Sequence, residues 1–206
     1  WIALWNFSQF FKKNIKMVIV IEGVDATGKS TLCQNLAQSL SGIVYATPPK
    51  ILIEERQKID KFSSPQESFL FYSRGIEIAS YEILGLSKLH EYIFVDRYWI
   101  STVATHLALG ANVKITRMAK YENYSCASFS VLLTVDTEHQ LSRFKKRGMT
   151  DGDKKLSKYF DEVQENFRNL ILSYCDSCIV IDTNKFSEIQ VCDLVLNYIK
   201  KLKLHK

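Results

Sequence analysis

Residues 23–31 read Gly-Val-Asp-Ala-Thr-Gly-Lys-Ser-Thr, and no other stretch of the chain restricts its fold as tightly. They follow an apolar run, Met17 to Ile21, and precede a segment of helical character, Leu32 to Leu40. Strand, G-x-x-x-x-G-K-S and helix in that order form the Walker A phosphate loop in the context that confirms it. Gly23 and Gly28 bracket a loop whose backbone must turn sharply and approach phosphates without a Cβ in the way. The amides of Asp25, Ala26 and Thr27 and the start of the next helix then face an anion. Lys29 brings a full charge to the β- and γ-phosphates, and Ser30, followed by Thr31, offers a hydroxyl to Mg²⁺. The motif predicts that the chain binds ATP or a similar nucleoside triphosphate. What it does with it must come from elsewhere in the chain.

A length of 206 residues suits one α/β domain, and 47% apolar with 24% charged residues is an ordinary globular balance. Of the net charge of +5, three units (Lys12, Lys13, Lys16) lie in the first sixteen residues, which hold no acid. The remainder does not predict a nucleic-acid binder. No apolar run approaches the roughly 20 residues of a membrane-spanning helix, so no membrane partner is predicted. The five cysteines are scattered, and Cys175-Asp-Ser-Cys178 lacks a second Cys or His pair at zinc spacing. They are read as reduced, structural thiols in a reducing compartment, cytoplasmic in the simplest case. Residues 1–16 are read as an N-terminal extension and 17–206 as the phosphate-loop domain. The chain opens on Trp1, and Met17 stands directly before the first strand. If residues 1–16 belong to a basic, acid-free amphipathic leader, the mitochondrial matrix is the alternative compartment.

Along the chain, strands alternate with helices. Ile43–Ala46 is predicted as a second strand, 51–61 as a short helix, and Ser64-Pro-Gln-Glu67 as the capped start of a helix reaching Leu86. Glu91–Val95, Ser130–Val135 and Cys178–Ile181 read as further strands. Helices are expected over 101–109, 115–121, 137–146 (with Thr137 as N-cap), 155–174 and 188–204. This alternation predicts a parallel sheet covered on both faces, with ligands beyond the carboxyl ends of its strands.

Asp96-Arg97-Tyr98-Trp99 lies at such an end. An acid there is placed to hold Mg²⁺, and the adjacent Arg can fork onto a phosphate; a structural ion pair is the plainer alternative. Arg143 and Arg147, four apart on one helix face, adjoin a turn containing Gly148 and Gly152. They suit a mobile lid carrying cations to transferring phosphates, or else a solvated charge run with Lys145, Lys146, Lys154 and Lys155.

Together, Val20-Ile-Glu-Gly-Val-Asp-Ala-Thr-Gly-Lys-Ser-Thr31, Val95-Asp-Arg-Tyr-Trp-x-Ser-Thr102 and Arg143-x-x-x-Arg-Gly148 resemble the thymidylate kinase family of nucleoside monophosphate kinases. Pro48-Pro49, Phe71-Tyr72-Ser73-x-Gly75 and Arg147-Gly-Met149 look closest to the mitochondrial UMP-CMP kinase 2 branch. The resemblance implies an α/β P-loop NTPase fold: a five-stranded parallel sheet in the order 2-3-1-4-5, helices on both faces and a short lid. It implies ATP with Mg²⁺ as donor, a pyrimidine nucleoside monophosphate (dTMP, dUMP or (d)CMP) as acceptor, and a homodimer. By resemblance, Asp25, Asp96, Arg97 and Tyr98 serve the acceptor, with Arg97 on its phosphate, and Phe71 stacks on the pyrimidine. Asn184 and Lys185 fall where the family packs adenine. With Ala26-Thr27 in the loop, the arginine at the transferring phosphate must come from the lid, chiefly Arg147.

The chain departs from the family at three points. After the second strand it carries Ala46-Thr-Pro-Pro-Lys50, with no arginine. The position of the base-reading arginine falls on Gly75, with Arg74 one residue away, and that of the later lid arginine falls on Gly152. Two further readings therefore stand beside the main one: a deoxynucleoside kinase, and a nucleotide-binding regulator with little turnover.

Overall fold

The computed structural model describes residues 17–113 and 127–204. Five parallel strands form one sheet: β1 (Met17–Glu22), β2 (Ile43–Ala46), β3 (Tyr92–Asp96), β4 (Phe129–Thr134) and β5 (Cys178–Asp182), in the order β2-β3-β1-β4-β5. The expected topology is the one observed. β1 lies between β3 and β4, with Ile21 beside Asp96 and Glu22 beside Leu132. That register brings the end of β1 and the end of β3 side by side, so the two sequence motifs that follow them must meet.

The helices are α1 (Lys29–Leu40), α2 (Ile53–Phe62), α3 (Pro65–Leu86), α4 (Trp99–Ala108), α5 (Thr137–Arg147), α6 (Asp151–Leu156), α7 (Phe160–Tyr174) and α8 (Glu188–Leu204). Period-two alternation along β1 sends Met17, Ile19 and Ile21 to a core shared with Leu32, Cys33 and Leu36 of α1 and Val191, Val195 and Ile199 of α8. Val18 and Val20 turn the other way, against Ile76, Ala79 and Ile83 of α3. A third cluster joins Leu132 of β4 to Ile100, Val103 and Ala104 of α4 and Phe167 and Ile171 of α7.

The α3 start is the capping box that its sequence predicts. The Ser64 hydroxyl accepts from the Glu67 amide at 3.3 Å, and the Glu67 carboxylate accepts from the Ser64 amide at 2.8 Å. Ser64→Ala is expected to cost about 1 kcal/mol, a fall in Tm of about 2–4 °C for a domain this size, measurable by calorimetry.

Four local expectations are corrected. The short helix expected from residue 51 begins at Ile53, after a 3₁₀ turn over Lys50–Leu52 that the preceding extended Pro49 initiates. The cap of α5 is Asp136 rather than Thr137: its carboxylate accepts from the His139 amide at 2.7 Å, an anion at a helix N-terminus. The polar turn after Arg147 is short, because Thr150 and Asp153 form a second capping box and open α6. The long helix expected over 155–174 is therefore broken into α6, a 3₁₀ turn at Ser157–Tyr159, and α7. The helix expected over 115–121 and the extension 1–16 lie outside the described residues.

Cys33, Cys175, Cys178 and Cys192 are free thiols, and burial raises each of them above the ordinary thiol range. Among the described residues no helix is long and apolar enough to cross a membrane.

Candidate active site

The loop between β1 and α1 holds its expected shape. Gly23 (φ +138°) has no room for a side chain, since a Cβ there would stand 2.3 Å from the Leu133 carbonyl oxygen, and Gly28 (φ +94°) turns left-handed into α1. Ala26 also lies at positive φ, +64°. Lys29 folds back inside the loop, donating to the Val24 carbonyl at 2.6 Å, and is only 5% exposed. Burial and the nearby Arg97 charge lower its amine to about 8. The hydroxyl of Ser30 donates to Asp96 Oδ2 at 2.5 Å. These two oxygen donors, joined across the ends of β1 and β3, are the hard-ligand type that Mg²⁺ takes, with water and phosphate oxygens filling its other positions. Among the described residues no cluster of three or more His, Cys, Asp or Glu stands ready to hold a metal ion.

Arg97 sits across the loop. Its guanidinium bonds Asp25 at 2.5 Å and the Gly23 carbonyl at 3.2 Å. Burial alone would raise the Asp25 carboxyl; Arg97 and then Lys29 outweigh it and hold it down at about 2. Beside the pair opens a narrow cleft, lined among others by Thr105, Gln140, Phe144, Asp153 and Phe160.

The two arginines of α5 point to different places. Arg143 is held by three hydrogen bonds: Nη1 donates to the Ala26 carbonyl and to Thr183 Oγ1, both at 2.9 Å, and Nη2 to the Thr183 carbonyl at 2.8 Å. It ties the phosphate loop to the loop after β5. Arg147 lies over the Phe144 ring at 5.1 Å and donates to Asp153 Oδ2 at 2.8 Å, leaving its side chain 51% exposed. Gln140, also on α5, donates to the Asp25 carbonyl at 2.9 Å.

Residues 21–192 match the thymidylate kinase family model. The chain belongs to the thymidylate kinase family. Among curated relatives, a probable thymidylate kinase of Archaeoglobus fulgidus is 26% identical over 180 residues, covering 82% of this chain and 88% of that protein. A probable thymidylate kinase of Metallosphaera sedula is 30% identical over 165 residues, covering 76% and 80%. Human mitochondrial UMP-CMP kinase 2 matches at 38% over only 66 residues, 32% of this chain and 14% of that protein, so the likeness to that branch is partial. In three dimensions, thymidylate kinase from Candida albicans superposes with a TM-score of 0.74 at 22% identity, covering 93% and 94% of the two chains. Deoxyadenosine kinase from M. mycoides superposes at 0.65 with 20% identity, covering 90% and 100%. The fold is thus shared by thymidylate kinase and by a deoxynucleoside kinase. Membership makes this chain an ATP-dependent nucleoside monophosphate kinase.

The remaining positions singled out by the family pattern lie as follows. Phe71 is buried on α3 and meets the Tyr72 ring edge-on at 5.2 Å. Arg74 points outward, 63% exposed and 3.9 Å from Glu55. At Gly75 a Cβ would meet Leu52 at 3.3 Å and Pro48 and Pro49 at 3.7 Å, so the proline turn and Leu52 stand where a longer side chain would start. The Tyr98 amide donates to Glu22 at 3.0 Å. Asn184 accepts from the Asp136 amide at 3.4 Å and lines an open groove beside α7, while Lys185 pairs with Asp182 at 3.3 Å.

Three participants carry no local sequence signal: Gln140, Thr183 and Glu22. Glu22 lies in the quoted motif, yet nothing in the string shows that its carboxylate is fully buried. Burial pushes it up to about 7 against the Ser101 hydrogen bond and the Arg97 charge. The folded state therefore holds this proton more tightly than the unfolded chain, whose carboxyl titrates near 4.5. Stability from this group is full below the unfolded value and is lost as pH rises through 7. Relative to Glu22→Gln, the wild-type protein is expected to lose about 3 kcal/mol of unfolding free energy between those limits, measured by denaturant titration across pH.

Proposed function

We propose that the chain transfers the γ-phosphoryl group of ATP to a pyrimidine nucleoside monophosphate, dTMP first, giving the diphosphate. The observation that carries this reading is the meeting of Lys29, Ser30–Asp96 and Asp25–Arg97 at the adjacent ends of β1 and β3. Lys29 and the loop amides take the β- and γ-phosphates. Arg97, aimed across the loop, takes the acceptor phosphate, and Asp25 fixes its guanidinium. Ser30 and Asp96 would hold Mg²⁺, which when bound would neutralise phosphate charge. Arg147 is the cation for the transferring group. Asn184 and Lys185 flank the adenine, and Phe71 with Arg74 lies on the base side of the acceptor.

The acceptor oxygen needs no general base, since the second phosphate pKa is about 6 and the group is already a dianion near neutrality. Catalysis then reduces to alignment and charge stabilisation. Transfer to a nucleoside would instead need a base for a sugar hydroxyl. After β2 the chain offers Thr47, whose hydroxyl donates to the Arg97 carbonyl at 3.0 Å, two prolines and Lys50. Glu54 and Glu55 are exposed on α2, with Glu55 facing Arg74. This supports the monophosphate reading over the nucleoside one.

Residues 17–206 form the kinase domain on this reading. The raised, free thiols suit a reducing compartment such as the cytoplasm, and the family suggests a homodimer. A coupled assay over dTMP, dUMP, dCMP, CMP and UMP, with thymidine and deoxycytidine as controls, tests the substrate. Turnover highest with dTMP and absent with nucleosides is expected. Phosphorylation of nucleosides alone favours the deoxynucleoside kinase reading, and ATP binding without turnover favours a regulator.

A further inference from the structure

The carboxylate of Glu22 takes no part in the chemistry above, yet both of its oxygens are spent. Oε1 accepts from the Tyr98 amide at 3.0 Å and Oε2 from the Ser101 hydroxyl. Tyr98 is the N-cap of α4, and Ser101 lies in its first turn. A fully buried carboxylate at the end of β1 therefore grips the start of the helix that follows Asp96-Arg97.

Arg97 is what this grip encloses. It is a non-glycine residue at φ +67°, a left-handed conformation that L side chains rarely adopt and that persists only where the surroundings over-determine it. Its amide donates to the Ile21 carbonyl at 3.0 Å, its carbonyl accepts from Thr47, and the next amide along is the one Glu22 holds. Its side chain is reached as well, because Arg97 Nη1 lies 3.5 Å from Ser101 Oγ. The Ser101 hydroxyl spends its proton on Glu22, which leaves its lone pairs facing the guanidinium.

We infer that Glu22 is a positioning residue for acceptor-phosphate binding: through the Tyr98 amide and Ser101 it fixes the backbone and guanidinium of Arg97. This rests on the reading of Arg97 as the acceptor-phosphate ligand. The decisive feature is polarity rather than volume. In Glu22→Gln one arm can still accept from the Tyr98 amide. The other becomes an NH₂ group that takes the Ser101 lone pairs, and Arg97 loses that acceptor.

The experiment measures dTMP affinity by titration calorimetry and KM for dTMP and for ATP, in the wild type, Glu22→Gln and Ser101→Ala, with Tm as a check on folding. Weakening of dTMP by about tenfold or more is expected in Glu22→Gln, with a smaller loss in Ser101→Ala. KM for ATP should stay within about twofold in both. A residue that merely caps α4 would shift both substrates together, or Tm alone. Equal weakening of ATP and dTMP, or unchanged dTMP affinity in both variants, overturns the inference. If Glu22→Gln does not fold, Ser101→Ala decides the same question. A wild-type protein that binds no monophosphate overturns the reading of Arg97 and this inference with it. Failure of the inference alone leaves wild-type binding intact and shared by the variants.

Discussion

Lys29→Ala is expected to lower kcat by about 10²-fold or more, the scale of one preorganised donor aimed at developing charge. The ammonium is already inside the loop, 2.6 Å from the Val24 carbonyl and 3.5 Å from Thr27 Oγ1. Phosphates entering the loop therefore meet a charge that needs no reorganisation. Stability should change little by comparison, because burial opposes the charge of this amine and its removal relieves that penalty. Steady-state kinetics with ATP and dTMP, set beside a thermal melt, separates the two effects. Near-wild-type turnover in a folded Lys29→Ala protein would sink the assignment of the loop as donor site.

Arg147→Ala is expected to produce a loss of similar size, about 10²-fold or more in kcat, with KM for both substrates moving only a few-fold. The argument is one of availability. Arg143 already gives three hydrogen bonds to Ala26 and Thr183, which join the phosphate loop to the loop after β5. Arg147 has a single carboxylate partner and a half-exposed guanidinium at the end of the same helix. Arg143→Ala should differ in kind, lowering Tm and raising KM for ATP. If Arg147→Ala turns over like the wild type while Arg143→Ala loses kcat alone, the roles are reversed.

Much of the fold was legible because its signals are local. The phosphate loop is a contiguous string, the α3 cap lies within Ser64–Glu67, and strand–helix alternation dictates a parallel sheet. The misplaced boundaries were local too. Asp136 caps as well as Thr137 and comes one residue earlier, and Thr150 with Asp153 carries the capping pattern that breaks the helix expected over 155–174. The site was legible only as a roster. Which arginine is spent on the backbone depends on Arg143 meeting Ala26 and Thr183, across sequence separations of 117 and 40 residues. The burial of Glu22 depends on α4 closing over the end of β1. No spacing rule encodes either contact.

The bonds from Gln140 to Asp25 and from Arg143 to Ala26 and Thr183 make α5 a continuation of the phosphate loop. Arg147 stands on the last turn of that anchored helix, just before Gly148 at φ +87°. The partner that restrains it, Asp153, lies beyond the glycine, in a six-residue helix. If Arg147 serves the transferring phosphate as proposed, its release from Asp153 would disturb none of the bonds that α5 makes to the triphosphate cradle. The cation and its counter-ion stand on opposite sides of Gly148, and only the cation shares a helix with those bonds.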